Sequence, residues 1–409
     1  MKFKLLVASV ALATAQVQAG GFENARLDTS FMYDEGGSIT IGGVRKTPSV
    51  TGDTFATNKS AIGSNSSSSI AIQTKISDRL ALGLVSYESG TINLNYQGAG
   101  WGSARDAGTA QLVDTYGSNV DLQSDSMALL GRYTLSDNFS ILGGLRRDKV
   151  SVSRADIFKL AVFTNAYTSY ITTNAVNPLA PTQAEMLQGQ VAGATAVATV
   201  PTIVPSIQSG TDIVPVLGLA YERPEIALKL ELLYQPSSTV KMASQCGMGA
   251  GNCTTDLTIG GLPDFLTLNF QTGIAADTLL FGSIHRGAWS KAQISVPDTE
   301  IGAQAGPTSS FKDSTEYSLG IGRKLSENWS VSASFNWEPK SSGTTNSLFT
   351  VNNGYKGVSL GAKYSIDDIE LSAGYNRTKL GDILYDGTSD NLMSGNSVDA
   401  YGVRVKLKF

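Results

Sequence analysis

The chain of 409 residues lacks the long apolar run that a membrane-spanning helix requires. Beyond the first twenty residues no segment has about 20 consecutive apolar residues, and the mean hydropathy is only −0.03. A helical membrane protein is therefore excluded. A β-barrel is not, because a barrel spreads its lipid-facing residues in alternation and shows no hydropathy peak. The formal net charge of −4 offers no basic surface for nucleic acid.

Reactive residue patterns are equally scarce. His285 is the only histidine, so a metal site with several histidine ligands is excluded. A Ser-His dyad of the kind found in barrel phospholipases is conceivable, but no Gly-x-Ser-x-Gly sequence and no phosphate-binding glycine loop accompany the histidine. We therefore expect no enzyme activity, no metal and no cofactor, and we expect His285 to be a structural or lumen-lining residue.

Cysteine is also rare, with Cys246 and Cys253 as the only two. They lie seven positions apart in a glycine-rich segment, without the spacing of a CxxC metal site. An oxidising compartment outside the cytoplasm favours a disulfide between them, with two free thiols as the alternative.

The first nineteen residues are typical of a signal peptide. Lys2 and Lys4 form a basic start, an apolar stretch follows, and Val17, Gln18 and Ala19 resemble a cleavage site. The apolar stretch is too short to span a bilayer as a helix. The predicted organisation is a signal peptide at 1–19, a short periplasmic or luminal segment (a reduced plug) at 20–36, and a transmembrane β-barrel at 37–409.

Strict alternation of apolar and polar residues is what the sequence does contain. In the last twelve residues, Tyr401, Val403, Val405, Leu407 and Phe409 alternate with charged or small residues. A strand with one apolar and one charged face that ends on an aromatic residue is typical of the closing strand of an outer-membrane barrel. Fourteen such windows are predicted, at 37–46, 66–77, 79–89, 123–135, 138–153, 210–222, 225–240, 264–275, 278–296, 315–325, 328–339, 355–365, 369–380 and 398–409.

The connections between these windows alternate in length. Every even-to-odd connection is a tight turn rich in Asp, Asn or Pro, and every odd-to-even connection is long. A soluble β-sandwich does not require short and long connections to alternate, whereas an outer-membrane barrel has short periplasmic turns and long external loops. The predicted fold class is therefore all-β, an antiparallel up-and-down transmembrane barrel of about fourteen strands.

Two groups of residues carry a family resemblance. The sequence from Leu262 to Leu268, followed by Leu280–Ser283 and Trp289, resembles the central hairpin of the FadL-like long-chain fatty acid transporters. Met32–Gly36 with the sequence at 48–52 resembles the first strand and first loop of that family. The resemblance implies a barrel of fourteen strands that transports hydrophobic molecules across the outer membrane.

One feature departs from the family. Its members begin with a plug of about forty residues that carries an Asn-Pro-Ala motif, whereas only about seventeen residues precede the first predicted strand here. Asn177–Pro178 lies in an external loop and is not equivalent. Either the plug is reduced, or long loops close the lumen.

The external loop at 154–209 is unusually apolar. Leu160, Phe163 and Tyr167, with Tyr170 or Ile171, have helical spacing, and 183–197 is rich in helix-forming residues. One interpretation is a loop that folds inward as an apolar core and caps the pore; the other is a groove that captures an apolar ligand, and the two are compatible. Candidate substrate-binding residues are Leu160, Phe163, Tyr167, Tyr170 and Arg146.

Alternation also predicts charged side chains in the lumen. Ion pairs between strands are one expectation for them, and contact of one Lys or Arg with a substrate carboxylate is the other. The predicted luminal residues are Lys75, Arg132, Lys229, Glu231, Asn269, Gln271, Lys324, Lys363, Glu370, Arg404 and Lys406.

We therefore expect a monomeric barrel of the bacterial outer membrane that admits hydrophobic molecules, above all long-chain fatty acids, by passive, ligand-gated diffusion through the barrel. The expected partners are a fatty acid or another hydrophobic small molecule, the lipid bilayer with lipopolysaccharide, and the barrel-assembly machinery through Phe409. The alternatives are a diffusion porin for small polar solutes and a surface adhesin or receptor.

Overall fold

The structure of the chain is a computed structural model. It describes residues 21–55, 57–99, 119–155, 159–199, 208–245, 254–294, 309–341, 343–345, 347, 349–385 and 391–409. The predicted signal peptide at 1–19 and the predicted disulfide between Cys246 and Cys253 lie outside these residues and stay predictions.

Fourteen antiparallel strands form a closed barrel, in which β1 pairs with both β2 and β14. This arrangement confirms the predicted fold class, and each predicted window corresponds to one strand. The strands are β1 (Ser38–Ser49), β2 (Asn65–Lys75), β3 (Leu80–Asn95), β4 (Asn119–Thr134), β5 (Phe139–Ala155), β6 (Gln208–Arg223), β7 (Leu228–Gln235), β8 (Phe265–Ala275), β9 (Thr278–Gly287), β10 (Ser314–Lys324), β11 (Trp329–Glu338), β12 (Tyr355–Ile366), β13 (Ile369–Leu380) and β14 (Ser397–Lys408).

Two predicted windows, 225–240 and 278–296, were too long at their ends. Pro224–Ile226 forms a 3₁₀ turn before β7, because proline fixes its φ and has no N–H for a strand ladder. Trp289–Lys291 forms a second 3₁₀ turn, which ends β9 at Gly287. A tight turn containing Pro224 was predicted between the sixth and seventh windows, whereas the apolar alternation continued past Trp289, so the sequence pattern did not reveal the second turn.

The predicted alternation of connection lengths is present in the structure. The tight turns lie at one end of the barrel, and Asp277 and Asp367 adopt left-handed backbone conformations there (φ 56° and 49°). Aspartate tolerates this conformation better than most residues because its short polar side chain bonds locally. The long loops lie at the other end, which we call the external end.

Three small structures are built on the external end. A helical hairpin joins β5 and β6, a two-stranded sheet (Thr239–Gln245 and Thr254–Gly260) joins β7 and β8, and a three-stranded sheet combines Thr344–Thr345, Ile383–Tyr385 and Asn391–Met393. The helices are α1 (Tyr96–Ala99) and, in the helical hairpin, α2 (Lys159–Asn174) and α3 (Gln183–Thr199).

A capping box begins helix α3. The Thr182 hydroxyl accepts a hydrogen bond from the Glu185 N–H, and the Glu185 carboxylate accepts bonds from the N–H and hydroxyl of Thr182. These bonds, first of all the one from the Thr182 hydroxyl, hold the pKa of the Glu185 carboxyl below its ordinary value. The sequence from Thr182 to Glu185 therefore sets where this helix starts.

The outer surface of the barrel is apolar, as the alternation predicts. Leu232, Leu360 and Val403 are 44%, 55% and 63% exposed, and equivalent positions on the other strands are similar. Within the described residues, no helix has both the length and the apolar character needed to cross a membrane.

The outward surface leads to a depth-dependent prediction. Leu360→Arg, near the middle of β12, should cost about 2–4 kcal/mol of folding free energy in a bilayer, because the guanidinium would lie in hydrocarbon. Ile366→Arg is the matched control, since Ile366 is also exposed and ends the same strand at the turn side. There the cost should fall to about 0–1 kcal/mol. The measurement is reversible unfolding from lipid vesicles. If both variants lose the same free energy of unfolding, the apolar outer surface is not centred near Leu360.

Candidate functional site

The N-terminal segment at 21–37 runs through the lumen from the external end to the turn end. Phe22 packs edge-on against Trp289 at the external end, with ring centroids 5.1 Å apart. Glu23 forms a β-bridge with Gly90 of β3. At the turn end, the Gly37 N–H donates to the carbonyl of Phe409. The segment that the sequence suggested as a reduced plug thus lies inside the barrel.

The turn end of this segment is held around Tyr33. The Lys229 ammonium lies 3.9 Å and the Arg132 guanidinium carbon 4.3 Å from the centroid of its ring. The Tyr33 hydroxyl donates to Glu231, which also accepts a bond from the Thr29 hydroxyl. Cation–π contacts and charge-assisted hydrogen bonds away from bulk water are strong, so the structure fixes this end of the segment firmly.

Close contacts with polar side chains of the wall hold the part of the segment nearest the external end. The Glu23 carboxylate lies 3.2 Å from Nε2 of His285, whose Nδ1 is 2.8 Å from the Thr267 hydroxyl. The Arg26 guanidinium pairs with Glu316 at 2.8 Å. His285 therefore faces the lumen, which was one of the expectations for it. The hydroxyl that it contacts belongs to Thr267 of the barrel wall.

A second polar cluster ties the segment to β1, β2 and β3. The buried Lys46 ammonium donates to the backbone carbonyl and the side-chain oxygen of Asn24, both at 2.6 Å. The Asn24 amide donates in turn to Glu88, which also accepts a bond from Asn65. The part of the segment nearest the external end is therefore anchored to β1, β2 and β3, next to the place where hydrogen bonding between β2 and β3 stops.

Several of the predicted luminal charges form ion pairs rather than presenting a free charge. Lys406 pairs with Asp34 at 2.8 Å and Arg404 with Asp28 at 3.1 Å, so both bind the N-terminal segment. Lys363 lies 3.7 Å from Glu370 within the wall. Lys75 differs, because its side chain is exposed and pairs with Asp78 in the tight turn that follows β2. Pairing explains how these charges are accommodated in the lumen.

Arg146 is completely buried, and each of its three guanidinium nitrogens accounts for at least one hydrogen bond. Nε and Nη2 donate to Asp148, and Nη1 donates to Gln235. A substrate carboxylate would have to displace these partners. Arg146 therefore has a structural role in the barrel, in addition to the role in substrate binding that the sequence suggested.

The buried pair supports a stability prediction. Arg146→Met should destabilise the barrel by about 3–5 kcal/mol, because it leaves the Asp148 carboxylate buried without its partner. Arg147→Met is the matched control, since the neighbouring Arg147 is exposed on the outer surface. The measurement is the temperature at which the folded band disappears in electrophoresis without boiling. If the two variants melt at the same temperature, the pair does not contribute as argued.

A cavity of about 300 Å³ lies beside the N-terminal segment. Its walls include Arg26 and Asp28 from the segment, Lys46 from β1, and Glu231 and Phe270 from β7 and β8. The charged groups around it balance one another, so it has no strong preference for an anion. The cavity also extends to Ser67 and Ser68 of β2.

The barrel wall is interrupted at this cavity, between β2 and β3. Their ladder ends at the pair Ser69–Tyr87, although β2 begins at Asn65 and β3 continues to Asn95. Ser89 is an extra residue in β3, because Glu88 and Gly90 pair with consecutive residues of β4. Such a bulge bends a strand away from its neighbour. The cavity therefore meets the wall where interstrand hydrogen bonds are missing.

An apolar cluster, the external cluster, lies above the cavity. Four aromatic rings form its centre: Phe22, Phe265, Trp289 and Phe311, with centroids 5.1–6.1 Å apart where they touch. Apolar residues from several loops and strand ends surround them; they include Tyr96, Leu122, Leu262, Phe349, Val351, Ile383 and Met393. The external cluster thus joins the loops to the first residues of the N-terminal segment.

The predicted loop residues lie in the helical hairpin. Tyr167 and Tyr170 are half-buried in α2, and the Tyr170 hydroxyl donates to Gln188 of α3. Leu160 and Phe163 also belong to α2, but their side chains lie outside the described part of the structure. Leu187 and Val191 of α3 and Val176 and Leu179 of the connecting turn are exposed. The hairpin therefore presents apolar surface above the barrel.

Sequence reasoning missed Glu23, Asn24 and Lys46. The segment lacks the Asn-Pro-Ala motif, and its polar residues are mixed with Phe22, Ala25 and Leu27 without a regular period. Among the described residues there is no group of three His, Cys, Asp or Glu side chains that could hold a metal ion.

The fold is thus a closed fourteen-stranded barrel with its N-terminal segment in the lumen. No protein-family model and no curated protein sequence matches the chain. Its fold is similar to a FadL homologue from Pseudomonas aeruginosa, with a TM-score of 0.63, 11% identity, and coverage of 93% of this chain and 92% of the other. The resemblance seen in the sequence is thus confirmed for the fold.

Two further solved structures are similar over nearly their whole length. The toluene transporter TodX from Pseudomonas putida gives a TM-score of 0.58 at 12% identity, covering 93% of this chain and 92% of the other. CymD, a monoaromatic hydrocarbon channel, gives 0.57 at 13% identity, covering 100% and 99%.

Proposed function

We propose that this protein lies in the bacterial outer membrane and lets hydrophobic small molecules diffuse from the exterior toward the periplasm. The observation that carries the proposal is the external cluster, which is built on the first residues of a segment that fills the lumen. Apolar solutes cross a lipopolysaccharide layer poorly, so a protein that admits them needs an apolar entry of this kind. The names of the structural neighbours, a FadL homologue and hydrocarbon channels, support this proposal.

The proposed path has three parts. The apolar helical hairpin captures the molecule, the external cluster receives it, and the cavity leads it to the interrupted wall between β2 and β3. The sequence contains no nucleotide-binding glycine loop, so we propose passive movement down a concentration gradient. A function in transport, rather than catalysis, fits this arrangement.

Long-chain fatty acids are the substrate that we propose first, because the family resembled by the sequence transports them. Monoaromatic hydrocarbons are the second candidate, favoured by the four aromatic rings at the centre of the external cluster. Edge-to-face contacts with such rings suit a flat aromatic solute. Uptake by proteoliposomes of labelled oleate, toluene and a small sugar discriminates these candidates, and sugar uptake as fast as the others would instead support a diffusion porin.

The capture step is tested in α2. Phe163→Asp with Tyr167→Asp should weaken binding of a fluorescent fatty acid at least about tenfold, since an unpaired carboxylate in an apolar site costs more than about 1.4 kcal/mol. Thr168→Asp with Ser169→Asp is the matched control, because both residues are exposed on the same helix. If both double variants bind the probe like the natural protein, the hairpin does not capture substrate.

A surface adhesin remains the third possibility, and the same loops would serve it. Deletion of 154–209 would then abolish attachment to a surface or a phage while uptake of hydrophobic solutes continued. Loss of uptake on deletion supports the transport proposal instead.

A further inference from the structure

Basic residues gather on the outer surface of the barrel near its external end, on β12, β13 and β1. Arg45, Lys356, Arg377 and Lys379 all point away from the lumen and are exposed. Arg377 lies 3.3 Å from Asp399 of the next strand. We call these four residues the rim patch, and after pairing with Asp399 it retains three positive charges.

The strand registers bring two of these charges together. Lys356 and Lys379 are directly opposite each other on β12 and β13. Like charges at directly opposed positions of antiparallel strands destabilise a sheet, because their Cβ atoms are only about 4.5–5.5 Å apart. None of the ion pairs within the described ranges includes Lys356, Lys379 or Arg45. This repulsion indicates an anion supplied from outside the chain.

Aromatic residues lie beside the rim patch. Trp337 is opposite Lys356 and stacks on Tyr317, with centroids 5.1 Å apart. Tyr401 is opposite Arg45 and packs against Tyr375 at 5.0 Å. Tryptophan is enriched where a membrane meets water, so Trp337 places the opposed pair Lys356 and Lys379 at the headgroup level of the outer leaflet.

The apolar belt continues directly from the rim patch toward the turn end. Val358, Leu360 and Val403 are 51%, 55% and 63% exposed on β12 and β14. The opposed lysines Lys356 and Lys379 at the external end, with an apolar wall toward the turn end, match a molecule with anionic head groups and acyl chains. A free inorganic anion would use the cations alone and leave the wall without a function.

We propose that the rim patch binds the phosphate groups of lipid A, the acylated and phosphorylated disaccharide of lipopolysaccharide, and that its acyl chains lie along the adjacent wall. Guanidinium and ammonium groups form charge-assisted hydrogen bonds to phosphate oxygens. The bound phosphate offsets the repulsion between Lys356 and Lys379. Such a site holds β12, β13, β14 and β1 in the outer leaflet, and it does not depend on what the lumen transports.

The test measures binding of lipid A to the full chain in phosphatidylcholine nanodiscs. Lys356→Glu with Lys379→Glu should weaken binding at least about tenfold, because each basic residue near a charged membrane surface contributes appreciably to attraction. Arg323→Glu is the matched control, since Arg323 is exposed at the turn end of β10 and should leave binding unchanged. Folding is checked by electrophoretic mobility before and after boiling. If the charge reversal prevents folding, Lys356→Gln with Lys379→Gln provides the same test and should also weaken binding.

Three outcomes overturn the proposal. The first is a folded double variant with the affinity of the natural protein. The second is equal binding of lipid A without its phosphates, which would leave the cations no part in recognition. The third is displacement of lipid A by inorganic phosphate at equal concentration, which would show a simple anion site.

Discussion

Deletion of residues 22–33 should turn the closed barrel into an open pore and raise its ion conductance at least about tenfold. The deletion removes Phe22, Arg26 and Tyr33, through which the N-terminal segment contacts the external cluster, β10 and Glu231. Barrel diameter grows with strand number, and fourteen strands lie between eight-stranded barrels filled by side chains and water-filled porins of 16–18 strands. We therefore propose that this short segment, rather than the barrel alone, closes the lumen. Conductance in planar bilayers measures the effect.

Deletion of residues 177–181 is the control for this experiment. These residues form the exposed connection between α2 and α3 and do not enter the lumen, so conductance should stay low. If the luminal deletion also leaves conductance low in a folded barrel, the external cluster closes the lumen without the N-terminal segment. The short segment would then have no part in gating.

Deletion of Ser89 should reduce uptake of hydrophobic solutes at least about tenfold, which corresponds to about 1.4 kcal/mol in the transport barrier. Ser89 is the extra residue of the β3 bulge, and without it Glu88 and Gly90 become adjacent and pair with Asp125 and Ser124 in a regular ladder. A regular β3 lies closer to β2 and narrows the interrupted wall beside the cavity. Solutes that leave through the wall would then be blocked.

Deletion of Ser153 is the matched control. Ser153 is the extra residue of a similar bulge in β5, opposite Asp121 and Leu122 of β4, and no residue of these two strands lines the cavity. Uptake should be unchanged in this variant. If removal of Ser89 also leaves uptake unchanged while the barrel folds, solutes pass along the axis, and the interrupted wall is not the exit.

Much of the barrel could be predicted because its physical signals are local. The period-two pattern in β14, from Tyr401 to Leu407, sets the two faces of one strand whatever its neighbours are. Polar turns such as the one at Asp367 and Asp368 have a local backbone preference, so strand number and direction could also be derived. Strand ends were less certain, since Trp289 continues the apolar alternation while its backbone has already turned.

The candidate site could be predicted only in part. Tyr167 and Tyr170 belong to an apolar helix, which their spacing suggested. The sequence suggested Arg146 because it precedes an apolar loop. Its Nη1 donates a hydrogen bond to Gln235, which is 89 positions away in the chain. No local pattern in the sequence links those two residues.

The sequence by itself determined the fourteen strands, their alternating faces and the parity of turns and loops, because each depends on residues within a few positions of one another. Only the tertiary structure decided that the segment at 21–37 fills the lumen, since its partners Glu231, His285 and Lys406 come from distant strands. The structure also showed that the ladder between β2 and β3 ends at Ser69–Tyr87, and that the register of the β12–β13 hairpin places Lys356 opposite Lys379. Contacts over such distances depend on register and on loop closure, which composition and periodicity do not encode.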